Sequence, residues 1–130
     1  MILDLALKIQ QTQLYLPTER EIDIFSPPVR LDSTQLSCLE LNFTAFAFFE
    51  VKLAYASKAN NTHKERILFR TVESLGKEFQ IWTATLSPNM TEGQEFVVVL
   101  HAKRSSIGLM AVIKSIKLRM TACPPTGKKH

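Results

Sequence analysis

Apolar side chains recur at every second position through much of this 130-residue chain, and this spacing constrains its fold more than any other feature. The first such run, residues 3–9, reads LDLALKI, with an apolar side chain at each odd position. A β-strand turns successive side chains to opposite faces, so these apolar side chains would share one face, whereas a helix would scatter them. The same alternation returns in five further runs, at residues 38–43, 51–55, 79–83, 96–100 and 116–121.

Turn-forming residues separate these runs. The intervening stretches are rich in Gly, Pro, Asn and Ser: SPPVRLDST, SKANNTHKE, SLGKE, SPNMTEGQE and KRSSIG. No segment predicts a long helix. In the run at 79–83 the alternation sets Phe79 and Ile81 on the apolar face, opposite Gln80 and Trp82. Short strands at this spacing predict an all-β fold, an antiparallel two-sheet β-sandwich or jelly roll.

The size of the chain fits one domain. A chain of this length with 45% hydrophobic residues can bury one sizeable core. We therefore expect a single domain over residues 1–123, and a C-terminal tail or linker over 124–130, where Pro124 and Pro125 stop the last strand. No apolar run approaches the roughly 18 residues of a membrane span, and the first ten residues lack the basic region of a secretory signal. The sequence predicts no direct insertion into a membrane.

The excess of positive charge is mild and spread along the sequence. The formal net charge is +4, which is far weaker than the clustered charge of nucleic-acid binders, so no nucleic-acid partner is expected. Lys117 and Arg119 share one face of the last strand, and Lys103 with Arg104 lies in the loop leading into it. These four residues form a candidate binding patch for an acidic surface, and a hydrated strand face is the alternative interpretation.

Three of the four asparagines open an N-glycosylation sequon: Asn42, Asn60 and Asn89. Asn60 and Asn89 fall in predicted loops, where a glycan could project into solvent. Asn42 falls inside a strand, on the face opposite Leu41 and Phe43, so its use requires that this face be open to solvent.

The two cysteines have two interpretations. In a secreted sandwich, Cys38 and Cys123 would form one disulfide, and in a reducing compartment they would be two buried thiols. A metal site is not expected, since two distant cysteines and the scattered His63, His101 and His130 show no ligand spacing. His101, on a strand, is expected to be a face residue or a partly buried ring with a hydrogen bond, and not a catalytic base.

From about Ile22 onward the chain resembles a MAM domain, an extracellular jelly-roll module found in meprin, a neuropilin-type receptor and a receptor tyrosine phosphatase. The resemblance is carried by the segments IDIFSPPV, CLELNFTAF, ERILFRTVESLGKEFQIWTATL and EFVVVLHAKRSSIGLMAVIKSIKLRMTAC. Two features depart from the family. No cysteine precedes Cys38, and Lys114 with Ser115 replaces an acidic pair near the last strand, so a family-type cation site would lose its carboxylates.

The sequence shows none of the short catalytic motifs, so neither an enzyme nor a cofactor is predicted. The resemblance implies an extracellular, non-catalytic module for protein recognition or adhesion, whose partner is another extracellular protein or a second copy of itself. One alternative is a jelly roll that binds carbohydrate or acidic glycosaminoglycan. The other is an accessory folding or oligomerisation domain of a secreted enzyme.

Overall fold

The computed structural model describes residues 2–4, 12–14, 21–31, 35–76, 78–103 and 111–125. In this part of the chain no helix is long and apolar enough to cross a membrane. One short 3-10 helix, Pro88–Thr91, accompanies the strands. The strands are β1 (Ile2–Asp4), β2 (Thr12–Leu14), β3 (Glu21–Phe25), β4 (Ser37–Ala45), β5 (Phe49–Ala56), β6 (His63–Thr71), β7 (Gln80–Leu86), β8 (Phe96–Lys103) and β9 (Ala111–Arg119).

These strands form two antiparallel sheets. Sheet A has the order β1-β9-β4-β7, with β2 pairing with β9 as well, and sheet B has the order β3-β8-β5-β6. Several connections cross between the sheets, including β4 to β5, β6 to β7 and β8 to β9. The predicted all-β, two-sheet jelly roll is confirmed.

The core lies between the inward faces of the two sheets. Phe43 of sheet A stacks on Phe49 of sheet B with ring centroids 4.9 Å apart, and Phe69 meets Phe43 edge-on at 5.7 Å. Each fully buried side chain of this size contributes about 1.5–3 kcal/mol of transfer free energy. The largest fully buried side chains are Phe43, Phe49, Phe96, Leu39, Leu41, Leu53, Leu86, Leu100, Ile113, Leu118 and Val51.

A disulfide joins Cys38, near the start of β4, to Cys123, which follows β9. The two residues are 85 positions apart, and Cys38 is fully buried. Closing a loop of this length destabilises the unfolded chain by about 4–5 kcal/mol in the loop-closure account. Of the two interpretations of the cysteines, the structure supports the disulfide.

Three features of the strands differ from the sequence prediction. On β7, Ile81 is 64% exposed and Trp82 packs against the core. The sequence predicted the reverse, with Ile81 on the apolar face and Trp82 on the other. Strand β6 has no clear alternation and occupies part of a stretch predicted as a turn. The predicted strand over 3–9 overlaps β1 at residues 3–4, and its residues 5–9 lie outside the described part of the chain.

Candidate functional site

Four titratable side chains form one row across the outward face of sheet B. The strand register pairs Asp23 of β3 with His101 of β8, His101 with Glu50 of β5, and Glu50 with Arg70 of β6. The residues on either side of His101 and Glu50 are core residues, and Ile24 and Phe69 pack against the core, so the strand alternation turns this row away from the core. Acidic and basic groups from four distant parts of the sequence therefore meet on one surface.

His101 is held between two carboxylates of the edge strand β3. Its Nδ1 donates a hydrogen bond to Oδ1 of Asp23, and its Nε2 lies 3.1 Å from Oε1 of Glu21. The ring is 16% exposed, whereas Glu21 and Asp23 are 54% and 43% exposed. The arrangement agrees with the expected partly buried ring with a hydrogen bond, and it leaves the two carboxylates open to solvent.

Glu50 is a nearly buried carboxylate with cationic partners. Its side chain is 6% exposed, and its Oε2 accepts hydrogen bonds from Nε of Arg70 at 2.9 Å and from Nη2 of the same residue. The ammonium of Lys52 lies 3.9 Å from Oε1 of Glu50 and 2.9 Å from Oε1 of Glu65. Buried carboxylates require such pairing, because desolvation otherwise disfavours their charged form.

The ion pairs beside Glu50 shift two pKa values. The hydrogen bond to Glu65 raises the pKa of Lys52 above its ordinary value. Hydrogen bonds from His63 and Lys52 lower the pKa of Glu65. Both groups are therefore charged at neutral pH and connect β5 to β6 across the outward face of sheet B.

Phe48 lies beside this row, just before β5. The ammonium of Lys103 lies 4.7 Å from the centroid of its ring, the guanidinium carbon of Arg70 lies at 5.6 Å, and His101 meets the ring edge-on at 5.7 Å. The backbone amide of Lys103 donates to the carbonyl of Phe48 at 2.9 Å, which ties the backbone at Phe48 to the end of β8. We call the surface formed by Glu21, Asp23, Phe48, Glu50, Lys52, Glu65, Arg70, His101 and Lys103 the polar face.

The polar face is nearly balanced in charge and already ordered. It carries four carboxylates and three lysine or arginine side chains, and most of these groups are held by hydrogen bonds or ion pairs. It therefore offers both donors and acceptors next to an aromatic ring. The sequence analysis did not find it, since only the strand register brings these residues together.

The structure does not bring the predicted basic patch together. Lys103 ends β8 of sheet B, whereas Lys117 and Arg119 lie on β9 of sheet A and face outward there. Arg119 also pairs with Glu40 at 2.9 Å. Lys117 and Arg119 share one face of β9, and Lys103 lies apart from them because the connection from β8 to β9 crosses from one sheet to the other. A binding role for these basic residues stays a prediction. Arg104 lies outside the described part of the chain.

Two of the three sequons lie near each other at one end of the sandwich. Asn60 is exposed in the loop between β5 and β6, and its Oδ1 accepts a hydrogen bond from the hydroxyl of Thr62 at 2.7 Å. Asn89 is exposed in the 3-10 helix between β7 and β8. The third, Asn42, lies inside β4, the strand between β9 and β7 in sheet A. Their occupancy remains a prediction.

An open depression of about 560 Å³ lies at this end, between the β5–β6 loop and the 3-10 helix; it is lined by Ser57, Lys58, Ala59, Lys64 and Glu92. The carboxylate of Glu92 accepts a hydrogen bond from the backbone amide of Lys58 and pairs with Lys64 at 3.2 Å. The amide of Lys58, followed by the ammonium of Lys64, lowers the pKa of Glu92. These contacts join the loop to the helix, which is a structural role.

Among the described residues, no cluster of three or more His, Cys, Asp or Glu side chains could hold a metal ion.

No family model matches the chain, and no curated protein matches it. Its fold is similar to that of a family 16 carbohydrate-binding module-2, with a TM-score of 0.53 and 16% identity over 82% of this chain and 73% of that one. It is also similar to the CBM22-1 and GH10 modules of Clostridium thermocellum endo-1,4-β-D-xylanase 10B in complex with xylohexaose, with a TM-score of 0.51 and 6% identity over 81% of this chain.

A third similar structure, from the infectious bursal disease virus Gt strain, has a TM-score of 0.54 and 13% identity over 91% of this chain. The matched regions are 20% of the xylanase structure and 30% of the viral one. At these identities the likeness establishes the jelly-roll fold alone.

Proposed function

We propose that this domain is a non-catalytic, extracellular carbohydrate-binding module that takes a neutral saccharide on the polar face of sheet B. The observation that carries the proposal is the row Asp23, His101, Glu50 and Arg70, with Phe48 beside it. Sugars present hydroxyl groups that both donate and accept hydrogen bonds, and flat apolar faces of C–H groups. A site for them needs donors, acceptors and an aromatic ring within one surface.

The exposed members of the polar face supply these groups. Glu21 and Asp23 offer acceptor oxygens, and Arg70, 49% exposed, has further N–H groups besides those that Glu50 occupies. The ring of Phe48 supplies an apolar surface between them. Because the ion pairs already fix these side chains, a ligand would order few of them on binding, which lowers the entropic cost.

The charge balance favours a neutral saccharide over a sulfated one. A sulfated glycan needs several unpaired cations on one surface. The polar face has four carboxylates and only three lysine or arginine side chains. Lys117 and Arg119, the other predicted cations, lie on the opposite sheet. Carbohydrate binding was one alternative predicted from the sequence. The proposed ligand is now a neutral saccharide, and the proposed site is the polar face and not the basic residues.

The comparisons support the proposal at the level of the fold. Two of the similar structures are described as carbohydrate-binding modules, and one was solved with xylohexaose. The disulfide fits an extracellular or otherwise oxidising compartment. The combination of a saccharide-binding fold with a polar, aromatic-bearing sheet face is what the proposed module requires.

Binding to soluble polysaccharides tests the proposal directly. Affinity electrophoresis and calorimetry would use xylan and mixed-linkage β-glucan as neutral ligands, with heparin as the sulfated ligand, at about 0.05 and 0.5 M NaCl. We expect retention by a neutral polysaccharide that changes less than about twofold with salt, because neutralised phosphates or sulfates are what make binding salt-dependent. Phe48→Ala and Glu21→Gln should each weaken it by about tenfold or more, whereas Lys117→Gln, on sheet A, should not.

Two results would contradict the proposal. One is the absence of binding to every neutral polysaccharide, together with heparin binding that falls steeply with salt. The other is binding to a neutral ligand that Phe48→Ala and Glu21→Gln leave unchanged.

The adhesion interpretation needs a different surface. The MAM resemblance implies a partner protein or a second copy, and such an interface requires an exposed apolar patch of adequate area. In the described residues, four of the six exposed large hydrophobic side chains belong to β6, β7 or the segment between them: Ile67, Val72, Phe79 and Ile81. Sedimentation of the glycosylated protein as a monomer at high concentration would leave the saccharide-binding proposal as the better account.

A further inference from the structure

Strand β7 exposes apolar side chains that the saccharide-binding proposal does not explain. Ile81 is 64% exposed, and Phe79, just before the strand, is 39% exposed. Lys114 reaches over the ring of Phe79, with its ammonium 5.4 Å from the centroid. In the described part of the chain β7 is the last strand of sheet A, and its seven residues, QIWTATL, include no charge. An uncharged, exposed edge of this kind is a hazard for aggregation.

Asn42 lies directly beside this apolar surface. The register pairs Asn42 of β4 with Ile81 of β7 on one side and with Ser115 of β9 on the other. Its neighbours Leu41 and Phe43 are core residues, so Asn42 faces outward, toward the same side as Ile81. The pairing of β4 with β9 shifts register between Asn42 and Phe43, an irregularity that can redirect a side chain.

The contacts within the described structure do not explain an asparagine at this position. Asparagine is depleted in strands, and here its Oδ1 is buried with no hydrogen-bond partner. A buried, unpaired polar atom costs about 1–3 kcal/mol and calls for a reason other than folding. The sequence supplies one, since Asn42, Phe43 and Thr44 form an N-glycosylation sequon.

We infer that Asn42 carries an N-linked glycan whose first N-acetylglucosamine packs on Ile81 and Phe79. Directly paired residues on neighbouring strands have Cβ atoms about 4.5–5.5 Å apart, and diagonal neighbours about 7–8 Å. Ile81 is the direct neighbour of Asn42, and Phe79 lies two residues earlier in the chain, just before β7. Both are within reach of one or two sugar rings attached at Asn42, and the C–H face of the sugar would remove their apolar surface from water.

This glycan differs in role from one at Asn60 or Asn89. Those residues lie in exposed turns, where a sugar meets solvent on most sides. Of the three sequon asparagines, only Asn42 lies in a strand with an exposed apolar side chain, Ile81, as a direct neighbour. The inference does not depend on the saccharide-binding proposal, because the polar face lies on sheet B and Asn42 on sheet A.

The test uses protein secreted from a eukaryotic host, in which glycopeptide mass spectrometry reports the occupancy of each sequon. We expect Asn42 to be occupied, and Asn42→Gln to lower the melting temperature by about 3–6 °C. Asn60→Gln and Asn89→Gln, the matched controls, should each change it by less than about 1 °C. Trimming the wild-type glycans enzymatically to a single N-acetylglucosamine should leave the melting temperature within about 1 °C of the untrimmed protein, because the first sugar makes the contact.

A double-mutant cycle with Ile81→Thr separates this contact from a direct effect of the Asn42 substitution. If the sugar packs on Ile81, the loss caused by Asn42→Gln should shrink to less than half in the Ile81→Thr background. Secreted protein with an empty Asn42 would overturn the inference. So would equal melting-temperature losses at all three sequons, or the same loss from Asn42→Gln with and without Ile81.

Discussion

The strands β6 and β7 are the last strands of sheets B and A and lie on the same side of the sandwich, but they differ in the charge that they carry. They are consecutive in sequence, and Phe69 of β6 meets Trp82 of β7 with ring centroids 5.3 Å apart. β6, HKERILFRT, carries charged side chains along most of its length and has a bulge opposite Val51 and Lys52. β7 has no charge at all. Charges and bulges are the usual means by which proteins prevent an edge strand from pairing with another chain, and only β6 has them.

The charges of β6 have a second role. Arg70 and Glu65 pair with Glu50 and Lys52 on β5, so the groups that protect the edge also build the polar face. β7 contributes nothing to that face, and in our inference its protection comes from a sugar on the neighbouring strand. The two edges therefore differ in what would expose them: a side-chain substitution for β6, and a missing glycan for β7.

The largest effect should come from removing Arg70. Arg70→Ala would leave the carboxylate of Glu50 nearly buried, with Lys52 at 3.9 Å as its closest remaining ion-pair partner. Breaking a buried ion pair costs about 3–5 kcal/mol, and since Arg70 is half-exposed we expect about 2–4 kcal/mol. Urea denaturation would measure this as a lower transition midpoint with an unchanged slope.

Arg66→Ala is the matched control for this prediction, because Arg66 lies on the same strand and its Nε donates to the carbonyl of Met90 at 3.0 Å. Arg66→Ala should lower the free energy of unfolding by less than about 1 kcal/mol. The added replacement Glu50→Gln should recover part of the Arg70→Ala loss, because it removes the unpaired charge. Equal losses for the two arginine variants would show that the pair with Glu50 has no special weight.

The second effect concerns β7 in protein made without glycans. Ile81→Lys should raise the temperature at which this protein begins to aggregate, because a lysine on an edge strand opposes pairing with another chain. Its effect on the free energy of unfolding should stay within about 0.5 kcal/mol, since Ile81 is exposed. Light scattering during heating measures the first quantity and urea denaturation the second.

Ile67→Lys on β6 provides the control, because Ile67 is 50% exposed on a strand that already carries charges. Ile67→Lys should raise the temperature at which aggregation begins much less than Ile81→Lys does. A similar gain from both lysines would mean that added charge improves solubility wherever it is placed, and the contrast between the two edges would fail.

The sequence predicted the parts of the fold that depend on period-two alternation. Strands β4, β5, β8 and β9 bury one apolar face each, so their alternation is clear, and the even pair of cysteines indicated the disulfide. β6 was missed because charges occupy both of its faces in the first half and a bulge breaks its period. β7 carries a large apolar side chain on each face, so alternation alone could not show that Trp82 and not Ile81 faces the core; the neighbouring ring of Phe69 favours Trp82.

The candidate site was much harder to predict. The residues of the polar face are up to 82 positions apart, from Glu21 to Lys103, and only the register of four strands brings them together. The residues of the predicted basic patch illustrate the converse case. Lys103 precedes Lys117 by one loop in sequence, but β8 and β9 belong to different sheets, so proximity along the chain did not produce proximity in space.

The smallest effect we predict is the pH dependence of the Lys52–Glu65 pair between β5 and β6. Hydrogen bonds from His63 and Lys52 hold the folded-state pKa of Glu65 below its ordinary value of 4.5. A lowered carboxyl pKa stabilises the fold above the unfolded-state pKa, and this stability is lost as the pH falls through the folded-state pKa. Because Glu65 is 39% exposed, solvent screening limits the contribution to about 0.2–0.5 kcal/mol.

Melting temperatures of the wild type and Glu65→Gln between pH 7 and pH 3 would measure this contribution. The wild type should be slightly more stable at neutral pH. The difference should shrink as the pH falls below the ordinary carboxyl pKa of 4.5, and it should vanish once the pH is below the lowered folded-state pKa, where the carboxyl group is protonated in both states. The difference should also shrink in a Lys52→Met background, since Lys52 is one of the two hydrogen-bond donors to Glu65. A difference that stays the same at pH 3 would mean that Glu65 stabilises β6 through packing, and the protection of this edge would then depend less on charge than its sequence suggests.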